Sequence, residues 1–240
     1  MQIDEEKCTG CGRCAWYCPV RAISVTAGQV ARIDFDECVE CGSCLRSARC
    51  PTEAIYLEEL AWPRAVRRVL SDPLTITEEA GIAGRGTEEM KTNDVTGRFK
   101  RGQVGVGIEM GRPALGSRFR DVEKVTMAVA RLGVEFEVQN PTTSLMSDRK
   151  SGKFRDDILN EKVLSAIIEF AIPMERLAEL LDVLRQVSGQ IDTVFSLCLA
   201  SRVNLDGSIP TGPILEELAV WHAPNGKTNV GLGRPLYQEK

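Results

Sequence analysis

Eight cysteines crowd into the first fifty residues of this 240-residue chain, and they come as two copies of one pattern. The first copy reads Cys8-Thr-Gly-Cys11-Gly-Arg-Cys14-Ala-Trp-Tyr-Cys18-Pro19. The second reads Cys38-Val-Glu-Cys41-Gly-Ser-Cys44-Leu-Arg-Ser-Ala-Arg-Cys50-Pro51. Each sets three cysteines at two-residue gaps and a fourth directly before proline, and the copies start 30 residues apart. Agreement continues past the cysteines, Pro19-Val-Arg-Ala22-Ile23 against Pro51-Thr-Glu-Ala54-Ile55, so the repeat is a whole supersecondary unit. A segment this short has little apolar core of its own, and whatever binds its thiols must do much of the holding together.

Three chemistries compete for the thiols. Disulfides suit a short secreted chain, whereas Met1-Gln-Ile-Asp-Glu-Glu6 does not read as a signal peptide, and cysteines two residues apart do not easily pair. Structural zinc usually takes two-cysteine knuckles from separate loops, not three cysteines in seven residues. A [4Fe–4S] cube needs four thiolates at the corners of one compact object, which a tight loop and a distant fourth cysteine supply. The glycines after Cys11 and Cys41 fit backbone wrapped closely around a bulky centre. Iron–sulfur is the chemistry this spacing favours.

On these residues the first 60 positions resemble the bacterial dicluster ferredoxin family. The resemblance implies two [4Fe–4S] clusters with crossed ligation, since in that family the fourth cysteine of each motif serves the other cluster. Carried over, one cluster is held by Cys8, Cys11, Cys14 and Cys50, and the other by Cys38, Cys41, Cys44 and Cys18. The second copy departs from the family in having five residues, not three, before its fourth cysteine. The two extra residues are expected to bulge a loop at 45–49. Short strand-like runs at 23–25, 30–34 and 55–57 suit the same fold, the first two flanking a turn at Ala27-Gly28-Gln29.

Charge bears on partners. The chain carries 30 basic and 34 acidic residues, a net charge of −4, which disfavours a general nucleic-acid binder. Residues 1–60 hold six basic and ten acidic side chains, so the whole imbalance lies there. That surplus is either a solvated surface or a negative face that steers docking onto a basic redox partner. No run of 18 apolar residues is present, which disfavours a membrane span. With His222 the one histidine, catalysis by paired histidines is excluded.

Beyond residue 60 a short helix is expected from Pro63, with Val66, Val69 and Leu70 inward. Residues 61–102 then read as that helix plus a linker or arm rich in glycine and threonine. Its glycines at 81–86 lack the spacing and the Gly-Lys-Ser/Thr ending of a nucleotide loop. Periodicity returns over 103–203. Val104, Val106, Ile108 and Met110 alternate as a strand; Phe119, Val122, Val125, Val129 and Leu132 make a helical stripe; 134–138 alternates again. After a polar loop at 140–162 the pattern repeats, with a strand at 163–172, a helix opening at Pro173 with a stripe from Met174 to Val187, and a strand at 193–203. The expected fold class is α+β: a dicluster ferredoxin module at 1–60, then a βαββαβ plait with an antiparallel sheet at 103–203. The turn Gly111-Arg-Pro-Ala-Leu-Gly116 weakly resembles that of ACT domains, small modules that pair and bind amino acids. By parity Gly105, Gly107, Glu109, Glu135, Glu137 and Cys198 point away from the helices, where small residues admit a second sheet or a partner. Residues 204–240 read as a loop or extended arm.

Functionally, the chain reads as an electron-transfer protein or subunit. It passes single electrons through two [4Fe–4S] clusters to a partner reductase or dehydrogenase, with no catalytic residue of its own. An alternative is a ligand-regulated or structural iron–sulfur subunit whose plait binds a metabolite or assembles a homo-oligomer or hetero-complex. A third, an autonomous reductase, has no flavin fingerprint or paired carboxylates behind it. Oxygen-sensitive clusters suggest the reducing cytoplasm of an anaerobe.

Overall fold

The computed structural model describes residues 1–26, 28–75, 97–113 and 115–223. The glycine stretch at 81–86, most of the expected linker and the arm from residue 225 lie outside the described residues, as do Ala27 and Ala114 in their turns.

The repeat folds as two matching halves that close on each other. β1 (Gln2–Ile3) pairs antiparallel with β4 (Ile55–Tyr56), and β2 (Ile23–Ser24) with β3 (Arg32–Ile33). Each cysteine loop runs into one helical turn, α1 (Arg13–Trp16) in the first copy and α2 (Ser43–Ser47) in the second. Met1, Ile23, Ala31, Ala48 and Ile55 pack with Cys14 and Cys44, a core in which sulfur takes the place of larger apolar side chains. The two extra residues of the second copy do not bulge a loop. They lengthen α2 and bury Ala48 against this core, since a helical residue there satisfies its backbone without leaving the fold.

α3 (Ala65–Ser71) follows, with Val66 and Leu70 turned into a larger core as expected. That core is built on β5 (Gln103–Met110), flanked antiparallel by β10 (Ala166–Pro173) and β11 (Phe195–Ala200). Ile108 lies opposite Ile168 on one side and Leu197 on the other. Val104, Val106, Ile108 and Met110 face the apolar stripes of α4 (Phe119–Ala130) and α6 (Leu177–Ser188), which pack against each other. The opposite face carries Gly105, Gly107, Glu109 and Cys198, in keeping with the parity. The ring of Phe99 lies where a side chain at residue 105 would stand, so there the chain itself makes the close approach.

Several elements differ from the sequence expectation. The strand at 134–138 is reduced to a single bridge, Phe136 to Phe170, beside an N–H of Glu137 donating to the Glu169 carbonyl (2.8 Å). The Asn140 side chain accepts from the N–H groups of Thr142 and Thr143 and draws the chain off the sheet into α5 (Pro141–Ser144). The polar loop at 140–162 is structured, with a hairpin of β7 (Met146–Asp148) and β8 (Lys153–Phe154) and a 3-10 turn at Asp156–Ile158. Phe154 and Ile158 anchor it, and Phe154 meets Phe119 edge to face at 5.1 Å. The strand at 163–172 is split: β9 (Lys162–Val163) pairs with β6 (Ser117–Arg118), and β10 is separate. Pro173 ends β10 rather than opening a helix, and a 3-10 turn, Met174–Arg176, leads into α6. Within 204–223 the expected loop contains α7 (Gly212–Glu217), whose Leu215 joins the core.

Because Phe119 is fully buried against Phe154, Phe119→Ala should cost about 3–5 kcal/mol of stability. Urea unfolding followed by circular dichroism measures it, and a loss below about 1 kcal/mol would contradict this packing.

Candidate metal centre

Cys8, Cys11 and Cys14 line one pocket together with Cys50, which arrives from the end of the second copy, and Ile3 and Ile55 close its apolar side. The second triad has its own visitor. Burial, and after it the neighbouring Cys41, Cys38 and Cys18, push the Cys44 thiol up to about 12. Burial likewise raises Cys14, with Cys11 and Cys8 adding to it. Each triad thus has the other copy's fourth cysteine beside it, and all nine cysteines are free thiols.

The backbone explains why the repeat extends beyond its cysteines. Gly12 (φ 74°) and Gly42 (φ 69°) start α1 and α2 from the left-handed region, which glycine enters without strain. Gly12 also lines the pocket of the first triad. After each fourth cysteine the chain turns through another left-handed residue, Arg21 (φ 55°) or Glu53 (φ 52°). It then aims an N–H back at the sulfur: Ala22 donates to Cys18 Sγ at 3.1 Å and Ala54 to Cys50 Sγ at 3.4 Å. Ala31 does the same for Cys8 Sγ at 3.4 Å. The shared Pro-x-x-Ala is therefore a turn that aims an N–H at its sulfur.

These residues fit an iron–sulfur cluster. Among the described residues no three Cys, His, Asp or Glu side chains converge where a single ion would sit. Thiols spread around a wider pocket match a cube with one ligand per corner better than one zinc at about 2.3 Å from every sulfur. Buried thiols crowded together resist ionisation, and a cationic centre among them supplies the missing counter-charge.

The two sites differ in cover. At the first, Cys11 and Tyr17 are exposed and Trp16 is 90% exposed. At the second, Val39, Glu40, Cys41 and Gly42 are all buried. The cover is the rest of the chain. Glu40 receives Arg64 from beside α3 through Nη2 (2.6 Å) and Nε (3.0 Å), and also the Met1 ammonium. Arg46, from the lengthened α2, donates to the Cys41 carbonyl and pairs with Asp72 at 3.1 Å. Arg118 of β6 reaches Asp36 (2.8 Å) and Glu37 (2.7 Å), and Lys162 of β9 also binds Glu37. Part of the acidic surplus is thus paired within the chain: Glu40 is buried against Arg64, while the more exposed Asp36 and Glu37 meet Arg118 and Lys162. Sequence reasoning missed Arg64, Arg118 and Lys162, because isolated basic residues carry no signal of what they face.

Neither Cys198 nor His222 lines the pocket of the first triad. Cys198 lies on β11 facing Gly107, its thiol pushed up by burial and by Glu109 and Glu169, the reverse of activation. His222 is exposed, and its Nδ1 lies 3.2 Å from the Val220 carbonyl oxygen.

Lys162, with Arg118 behind it, holds the Glu37 carboxyl below its usual range. Its folded value lying under the unfolded one, it contributes stability above about pH 4.3 that is lost as pH falls through the folded value. Glu37→Gln should therefore lower the denaturation midpoint at about pH 6 and converge on wild type by about pH 3. A gap that stays constant over that range would contradict the pairing.

Three relatives found among known proteins each cover 23% of the chain. Residues 1–24 match the family described as 4Fe-4S binding domain. An uncharacterized ferredoxin of Methanocaldococcus jannaschii is 39% identical over 59 residues, 23% of this chain and 74% of that protein. The pyruvate synthase subunit PorD of Methanothermobacter marburgensis is 36% identical over 56 residues, 23% of this chain and 62% of that protein. One subunit of an ion-translocating oxidoreductase complex of Methanosarcina acetivorans is 45% identical over 55 residues, 23% of this chain but only 20% of that protein. No solved structure matches the chain. Among the described residues no helix is long and apolar enough to cross a membrane. Cysteine spacing, sulfur-directed N–H groups and these relatives agree: through its amino-terminal segment the chain belongs to the 4Fe–4S ferredoxin family.

Proposed function

We propose that this iron–sulfur electron carrier holds two [4Fe–4S] clusters and passes single electrons to a partner oxidoreductase. One cluster is assigned to Cys8, Cys11, Cys14 and Cys50, and the other to Cys38, Cys41, Cys44 and Cys18. The observation that carries the assignment is the exchange of fourth cysteines: Cys50 lines the pocket of the first triad, and Cys18 neighbours Cys44. When bound, such a cluster supplies a one-electron couple and no acid, base or nucleophile.

The chain's own groups set how that couple is used. N–H donors at Ala22, Ala31 and Ala54 stabilise negative charge on their sulfurs and favour the reduced state. Exchange with other proteins belongs at the first site, where Cys11 and Trp16 reach solvent, while the second is shielded by its own chain. Two relatives are named as subunits of larger assemblies, and we assign this chain a like role: residues 1–60 as carrier, and the plait at 103–203 as the part that joins a complex or a second copy. Exposed Cys11 leaves the first site open to oxidants, so a reducing cytoplasm is the proposed setting.

Protein purified without oxygen should yield about eight irons and eight sulfides per chain. Zinc, or sulfur–sulfur bridges among the eight cysteines, would end the reading. Trp16→Ala should keep the iron content yet slow reduction by a protein donor several-fold; an unchanged rate would move the exchange point elsewhere.

A further inference from the structure

Two departures of the second copy from the first touch the rest of the chain. Where the first copy has Gly10 the second has Glu40, held by Arg64, and the lengthened α2 carries Arg46 to Asp72. Between them, under the loop bearing Cys38, lies Arg67 of α3, only 3% exposed. Its Nη1 donates to three carbonyls of that loop, those of Phe35 (3.0 Å), Asp36 (2.8 Å) and Cys38 (2.9 Å). Its Nε pairs with Glu161, just before β9. The first copy is served more lightly: Arg13 of α1, itself part of the repeat, donates to the Arg49 carbonyl (3.2 Å).

We infer that Arg67 is a positioning residue for the second cluster: it fixes the Cys38 loop through a three-carbonyl clamp and sets that cluster's potential apart from the first. The inference rests on the two-cluster reading. A guanidinium is permanently charged and planar, so one side chain can bind several carbonyls in a fixed fork while placing a cation behind a ligand. A nearby cation stabilises the more negative, reduced form, and net charge and solvent exposure are the levers by which a protein moves a cluster's potential. Glu161 offsets part of this charge, yet removing Arg67 also leaves Glu161 without its partner beside the site. Both effects act in the same direction. Lysine retains the charge and lacks the fork.

The test uses full-length protein loaded and titrated without oxygen, with the paramagnetic signal of each reduced cluster followed against potential. In Arg67→Gln one midpoint should fall and the other stay where it is in wild type. In Arg67→Lys the midpoint should return most of the way, while loss of iron to a chelator from half of the iron pool runs several-fold faster than in wild type. If Arg67→Gln does not fold, the lysine variant alone decides through its chelation rate. Midpoints and chelation rates equal to wild type, or two midpoints falling together, overturn the role of Arg67. Wild-type protein with about four irons overturns the two-cluster reading and this inference with it, a result visible before any variant is made.

Discussion

The carboxylates and carbonyls of the second cysteine loop meet arginines from outside the repeat, and the rest of the architecture hangs on that meeting. Without it the chain would be two bodies on a string, a sulfur-cored module and an α/β sandwich. Arg64 and Arg67 from one side, with Arg118 and Lys162 from the other, leave residues 35–41 bounded by cations. Exposed ion pairs contribute little, but Glu40 and Arg67 are buried and multiply bonded, so losing either partner strands a charge away from water.

The same loop chemistry therefore stands in two surroundings. Each half supplies the same turns, the same left-handed residues and the same N–H aimed at sulfur. What differs is context: one half ends in solvent around Trp16, the other beneath α3. Duplication of a unit followed by burial of one copy is a simple physical route to two non-equivalent sites, because solvent exposure alone shifts electrostatic interaction strength several-fold.

The thiol arrangement was legible because it is written in spacing, and spacing survives without knowledge of the fold. The main helices and central strand were legible for a like reason, as Val104, Val106, Ile108 and Met110 alternate over an uninterrupted eight-residue strand. Short pieces were not. β1 has two residues and no period, and the strand at 134–138 keeps the alternating pattern yet loses its ladder to the pull of the Asn140 cap. The segment at 140–162 hid its order because its anchors, the fully buried Phe154 and Ile158 and the partly buried Leu145, Met146 and Leu159, follow no single period. The cover over the second site was invisible for a deeper reason: an arginine's partner is decided by tertiary approach, and Arg67 and Glu161 lie far apart along the chain.

Glu40 occupies a backbone conformation (φ 58°) that its counterpart Gly10 takes freely. A side chain there is strained, yet it is also the anchor for Arg64. Replacing it with glycine would relax the backbone but leave the Met1 ammonium and Arg64 without their shared carboxylate, and the second effect is the larger. The second copy thus tolerates a backbone conformation suited to glycine because the carboxylate placed there ties the amino terminus and the segment before α3 to one point.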